Sequence, residues 1–339
     1  MTEPLALDGL QRLLWSFAGQ RVVTVAGRTG ILDALADRRA TADELAAELG
    51  LDPLAAGKVV RALCAQGLVE AEGEGYRLAG ELRPYFGRDG AGFSAFLDHL
   101  HTMYEAWGAN LEPWLRGEGW TSPERTPERT RRFGVAMRAM GSQIARRVAA
   151  ALDLEGVRTV LDVGGGWGQF ARAICEIAPA VRATVLDIPQ VAEAAPASLE
   201  GSGLADRIGW RGGDYLATDY GSGWDLVLLA NILHQELAPE AAEIIRRAAV
   251  ATASGGRVAV VDFAIDDAKR EHLLGTLFAI NMRSFGDTWS EPELRGWMET
   301  AGLADVSRTD IGPDRWLITG TRRSQQSTVN SRQFHRSEA

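Results

Sequence analysis

Apolar residues recur at helical spacing through the first half of the chain, then gather into short continuous runs through the second. Between residues 41 and 66, Leu45, Leu49 and Leu51, then Val59, Val60 and Leu63, mark the buried faces of two helices joined by a short turn. Thr41 followed three positions later by Glu44 predicts a capping box at the start of the first helix. "LVEAEGEGYRL" then alternates around a Gly-containing turn and predicts two short strands, so the region has the outline of a winged helix. Residues 91–150 read as helical, with the polar, proline-bearing "EGWTSPERTPERTRR" (118–132) as a connection between two helices. From Val157 the period changes. "TVLDV", "ATVLDI", "IGWRGGD", "WDLVLLAN" and "RVAVVDF" are β-rich runs separated by helix-length segments, which predicts a parallel sheet covered by helices. "DVSRTDIG" and "RWLITGTRR" predict a terminal hairpin, and the polar, aperiodic stretch from residue 323 to 339 a disordered tail.

Composition narrows the function classes. A net charge of −9 disfavours nucleic acid or an anionic membrane as partner, because phosphate contacts need clustered Lys and Arg. The second helix of the winged-helix region offers only Lys58 and Arg61 as cations, which favours packing over groove reading. No apolar run approaches the ~20 residues of a membrane span. "MTEPLALDGL" carries acids and no Lys or Arg, unlike a secretory leader, so the expected location is the cytoplasm. Cys64 and Cys175 sit in apolar helical patterns and read as buried thiols.

The densest chemical signal is "LDVGGGWGQF", at the end of the first strand of the sheet. In an open parallel sheet ligands bind outside the carboxyl ends of the strands, and Gly164, Gly166 and Gly168 fall there. A dinucleotide site wants G-x-G-x-x-G, but Gln169 holds the place of the last glycine. Asp162, two residues before the first glycine, would repel a pyrophosphate. S-adenosylmethionine instead brings an α-ammonium and a sulfonium, so an acid beside the loop becomes attractive. Asp187 ends the second strand about twenty residues on, where a carboxylate can accept the ribose hydroxyls. Asp214, after the third strand, is placed for the adenine amino group and Tyr215 for the adenine face.

The sequence resembles the class I S-adenosylmethionine-dependent methyltransferases of the plant-type O-methyltransferase family, in particular bacterial secondary-metabolism members. The similarity runs from "GILDALADRRATADELAAELGLDP" through "VLDVGGGWG", "LDIP", "GGDY" and "ILHQELAPE" to the closing strands. It implies an α/β fold: a Rossmann-like, seven-stranded, mostly parallel sheet with helices on both faces, preceded by a mainly α-helical winged-helix dimerisation domain. The domains it implies are 1–100 for dimerisation, 101–155 as a helical connection contributing to the substrate pocket, and 156–322 for the cofactor. The resemblance makes His234 the general base, flanked by Asp262. A second flanking acid falls on Asp287 or is replaced by Thr288. Ser142, Ile188 and Asn231 join the cofactor site; Asn231 stands where many bacterial relatives carry arginine.

Acceptor contacts are expected from Met137 and Met140 on one helix and from Phe278, Asn281, Met282 and Phe285 on another. Trp107, Trp114 and His99 or His101 are candidates for the far wall, and the two histidines, at i and i+2, cannot share a helix face. No metal site is expected. Glu236 replaces an aromatic that often follows the histidine by two positions, which leaves the acceptor open. The implied reaction is O-methylation of a phenolic hydroxyl on a small aromatic or polyketide-type metabolite by a homodimer, releasing S-adenosylhomocysteine. Carbon or nitrogen transfer, a homologue that binds the cofactor without transfer, and a winged-helix regulator remain the alternatives.

Overall fold

The computed structural model describes residues 6–88, 90, 92–122, 126–312 and 314–323. The expected tail lies, past Arg323, outside the described residues. Helices α1 (Leu7–Arg28), α2 (Ile31–Asp37), α3 (Ala42–Leu49) and α4 (Pro53–Ala65) lead into the hairpin β1 (Val69–Glu72) and β2 (Gly75–Leu78). The capping box forms as expected: the Thr41 hydroxyl accepts from the Glu44 N–H at 3.2 Å, and the Glu44 carboxylate accepts from the Thr41 N–H at 2.8 Å. Asp52 caps α4 by accepting from the Ala55 N–H at 2.8 Å. Ala40 exchanges two backbone hydrogen bonds with Tyr76 and so extends the wing. Leu32, Leu35, Leu45, Val60, Leu63 and Leu78 are fully buried together, each worth roughly 1.5–3 kcal/mol of burial.

Helix α5 (Phe93–Leu115) runs without a break through residue 100. His99 packs against Phe96 and Phe133, whereas His101 meets Arg21 and Glu105, so the two rings do leave the helix on different sides. Helix α6 (Pro127–Ala151) begins inside the stretch read as a connection. Proline suits a first helical position, the Thr126 hydroxyl accepts from the Arg129 N–H at 3.3 Å, and Glu128 pairs with Arg131 and Arg132 at 3.1 and 3.2 Å. The polar sequence there is a helix start.

The sheet comprises β3 (Thr159–Val163), β4 (Arg182–Asp187), β5 (Ile208–Gly212), β6 (Trp224–Ala230), β7 (Thr252–Phe263), β8 (Leu303–Asp310) and β9 (Arg315–Arg322). Its order is β5-β4-β3-β6-β7-β9-β8. β3 pairs in parallel with β4 and β6, and β6 with β7; β9 enters antiparallel between β7 and β8. Between the strands lie α7 (Gln169–Ile177), α8 (Pro189–Ala194), α9 (Ala238–Ala251), α10 (Leu273–Met282) and α11 (Glu291–Thr300). Four of the five residues of β3 are buried, the continuous pattern of a strand covered on both faces. Because β4 and β6 flank β3, the chain segments leaving β3 and β6 stand at a topological switch point.

The chain divides into two compact units. One holds the residues up to Ala150 with Gly165–Ile177 and Asp187–Gly212; the other holds Ala151–Gly164, Ala178–Leu186 and the residues from Gly213 onward. Among the described residues no helix is long and apolar enough to cross a membrane.

Candidate active site

In the first unit the glycine loop is a backbone construction. Gly166 and Gly168 adopt φ of 57° and 72°, which side-chain-bearing residues rarely do. The Gly166 N–H donates to Asp187 Oδ2 at 2.8 Å, and Trp210 Nε1 donates to the Gly166 carbonyl at 3.0 Å, so both polar groups of this peptide segment are fixed. Asp187 also accepts from the Ile188 N–H at 2.8 Å and thereby ties the end of β4 to the loop. A Cβ built on Gly166 would meet nothing within 4 Å, so ligand atoms can approach the main chain on that side. Met137, Met140 and Ser142 stand half-buried on α6, where the Ser142 hydroxyl donates to the Ala139 carbonyl at 3.1 Å.

In the second unit Asp162 lies fully buried within β3. Gly164 follows it with φ 65°; its N–H donates to the Leu186 carbonyl at 2.7 Å, and any side chain would overlap Ile232. Asn231 takes the same left-handed backbone (φ 56°) after β6, and its buried Oδ1 has no hydrogen-bond partner among the described residues. Asp214 is exposed and accepts from the Leu216 N–H at 2.8 Å. The Tyr215 hydroxyl donates to Glu236 at 2.6 Å, a pairing that gives a role to the residue standing in place of the usual aromatic. In the first unit the open-sided glycine backbone, and in the second the buried acid and the unsatisfied amide oxygen, each offer chemistry suited to a cationic, hydrogen-bonding cofactor such as S-adenosylmethionine.

His234 occupies a 3-10 turn (Leu233–Gln235) directly after β6 and is buried, as is Asp262 in β7. Their separation, Nδ1 to Oδ1, is 2.5 Å. Asp262 also accepts from the backbone N–H groups of His234 and Phe263 at 3.2 and 2.8 Å. An ionised carboxylate only accepts, so this contact assigns the ring proton to Nδ1 and leaves the Nε2 lone pair as the basic site. Nε2 has no polar partner among the described residues. Phe278 meets the imidazole edge-on at 4.8 Å and stacks on Phe263 at 3.8 Å, fixing the ring plane.

The supports of this turn were hidden in the sequence. Trp289 Nε1 donates to the Leu233 carbonyl at 2.9 Å. A Cβ on Gly286 would overlap the His234 carbonyl and come within 3.0 Å of Glu236 N. Arg315, nearly fully buried, lies 3.2 Å over the Phe263 ring. Burial pushes its guanidinium down to about 10, opposed by the carboxylates of Asp262 and Asp314. The sequence signals were a tryptophan and a glycine in "FGDTWSEPEL" and an arginine opening the final strand, none of which carries chemistry by itself.

Asp287 is held elsewhere. Lys269 Nζ donates to it at 2.8 Å, lies 3.5 Å from Glu293 and sits 4.5 Å over the Trp289 ring. Asp287 makes no hydrogen bond or ion pair with His234 among the described residues. Its neighbour Thr288 is buried, with its hydroxyl unpartnered among the described residues. Asn281 and Met282 are half-buried, whereas Phe285 is 71% exposed.

Comparison with known proteins decides the family, since residues 100–304 match the O-methyltransferase domain family, over half of the chain. The chain belongs to the O-methyltransferase family. It is an S-adenosylmethionine-dependent O-methyltransferase. The 3-hydroxy-5-methyl-1-naphthoate 3-O-methyltransferase of Streptomyces sahachiroi is 29% identical, covering 89% of this chain and 90% of that protein. The tetracenomycin polyketide synthesis 8-O-methyl transferase of Streptomyces glaucescens is also 29% identical, covering 91% and 94%. Human N-acetylserotonin methyltransferase, solved in complex with S-adenosylmethionine, shares the fold with a TM-score of 0.82 at 21% identity, covering 96% of this chain and 100% of that one.

Proposed function

We propose that this methyltransferase acts on a phenolic hydroxyl of a small aromatic or polyketide-type secondary metabolite, with His234 as general base. The observation that carries the reading is the 2.5 Å contact between His234 Nδ1 and Asp262, which leaves Nε2 free to take a proton. A phenol of pKa ~10 attacks poorly until that proton leaves, and an imidazole near ~6.5 can accept it as the new bond forms. Bound S-adenosylmethionine supplies the methyl group, activated on its sulfonium. Asp162, Gly164, Gly166, Gly168, Asp187, Ile188, Asp214, Tyr215, Asn231 and Ser142 hold that cofactor. Asp262 orients the base and stabilises its protonated form. Met137, Met140, Phe278, Met282 and Phe285 present apolar surface to a flat acceptor, and Asn281 offers it a hydrogen-bonding amide. The naphthoate and polyketide named for the two Streptomyces relatives support this acceptor class.

In the same reading residues 1–100 dimerise, 101–155 wall the acceptor, and 156–322 bind the cofactor. Leu7, Leu10, Leu13, Leu14, Trp15 and Phe17 stand exposed along α1, apolar surface that a second copy of the chain would cover. The free thiols of Cys64 and Cys175, the first half-buried and the second buried, are in keeping with a reducing cytoplasm.

The test is S-adenosylhomocysteine release with a panel of hydroxynaphthoates and phenolic polyketides, for wild type and His234→Ala. Loss of roughly 10²–10⁴-fold in the variant, with cofactor binding intact, is expected of a general base. Turnover that survives the substitution would move the assignment to carbon or nitrogen transfer.

A further inference from the structure

Two buried glycines interrupt α6, at 134 and 141, although glycine weakens a helix interior relative to alanine. Seven residues apart, they lie on one face of the helix. Each receives a side chain from the glycine loop. A Cβ on Gly134 would overlap the indole of Trp167 at Nε1 and Cε2. A Cβ on Gly141 would stand 3.2 Å from Cγ and 3.4 Å from Nε2 of Gln169. Trp167 sits between Gly166 and Gly168, two residues whose backbone has the least intrinsic restraint. The hydrogen bonds from Gly166 to Asp187 and from Trp210 to Gly166 fix the residue before it, and the indole seated on Gly134 holds Trp167 itself.

We propose that Trp167 is a positioning residue for the cofactor: docked on Gly134, with Gln169 docked on Gly141, it clamps the loop to α6 and presets the backbone that receives S-adenosylmethionine. This rests on the reading that the loop holds the cofactor. Met137 and Met140 lie on α6 between the two docking points, so a shift of the helix caused by an acceptor reaches the loop through the same clamp. An indole is rigid and cannot yield to a new methyl group, whereas the Gln169 side chain can rotate away. Gly134 is therefore the strict position and Gly141 the tolerant one.

Calorimetric titration with S-adenosylhomocysteine tests the clamp on the full chain, with thermal melts of every variant. Gly134→Ala is expected to weaken binding about tenfold or more, within the range of contact couplings, even though alanine favours the helix. In a Trp167→Ala background the same substitution is expected to change affinity less than about twofold, since its partner is gone. Gly108→Ala on α5, where an added Cβ meets nothing, serves as a control and leaves binding unchanged. If Gly134→Ala fails to fold, Trp167→Phe substitutes for it, and a loss of binding with an unchanged melt supports the clamp. Equal weakening with and without Trp167, or unchanged affinity in Gly134→Ala or Trp167→Phe, overturns the proposal alone. A wild type that does not bind S-adenosylhomocysteine overturns the cofactor reading itself, and this proposal with it.

Discussion

The loop at 164–168 and the turn at 233–236 both leave the carboxyl ends of parallel strands, yet they are built from opposite materials. The loop removes side chains. Its three glycines adopt left-handed backbone, and its polar groups are held from outside by Asp187 and Trp210. The turn concentrates side chains: a buried histidine on a buried aspartate, two stacked phenylalanines and a buried arginine. A cofactor of constant shape can be gripped by main chain, which every sequence possesses. An acceptor that differs between family members needs side chains, which can be exchanged while the sheet stays the same.

The most forceful way to test that contrast is to remove the charge beneath His234. Asp262→Asn keeps the shape of the side chain but lets the ring present the wrong nitrogen. A drop in turnover of about 10²–10⁴-fold, with S-adenosylhomocysteine affinity nearly unchanged, is expected from steady-state kinetics and calorimetry. Weakened cofactor binding of similar size would show that the two regions are not separable. At Gly164 an added methyl group meets both an unfavourable φ and Ile232, so Gly164→Ala is expected to lower stability by about 1–3 kcal/mol in chemical denaturation. An unchanged midpoint would mean that the loop has room its backbone does not suggest.

Trp289→Phe removes one of the two donors to the Leu233 carbonyl, the other being the Glu236 N–H, and is expected to cost about 0.5–1.5 kcal/mol, read from the same denaturation curves. Turnover should fall along with stability, because the carbonyl belongs to the turn that carries His234. The smallest expected effect is at Asn231, where the two strategies meet in one residue. Asn231→Gly suits the φ of 56° and should leave the melting temperature level or slightly raised. Its S-adenosylhomocysteine affinity should fall by about threefold, within the net worth of one hydrogen bond. Unchanged affinity would take Asn231 out of the cofactor site.

What could be read from the sequence follows the same divide. Glycine spacing behind an apolar strand is a local signal, and it located the loop and the strand that feeds it. Both the histidine and Asp262 came from the family resemblance, carried by the segments after the fourth strand and at the end of the fifth. The remaining supports of the turn come from far along the chain: Trp289 is 56 positions from the carbonyl it holds. Arg315 reaches Phe263 only because β9 returns beside β7. Asp287 shows the converse. The sequence left the second flanking role open between Asp287 and Thr288, and in the fold Lys269, brought in by the segment before α10, pairs with the Asp287 carboxylate. Likewise 127–132 looked like a loop because proline and charge dominate it, and those same features start a helix when Thr126 caps them. Composition alone does not separate these cases; the partner does.

The insertion of β9 between β7 and β8 has a consequence for how the protein is made. β7, which carries Asp262, receives its second neighbour only when residues 315–322 have been synthesised, more than fifty residues after β7 itself. Until then the nascent chain exposes "VAVVDF", a run rich in β-branched residues, as an open edge. The carboxylate that holds His234 thus sits on the strand that is last to be closed. Crowded ribosomes and high temperature would tax this protein at that edge, through association of half-made chains, well before they disturbed the finished fold.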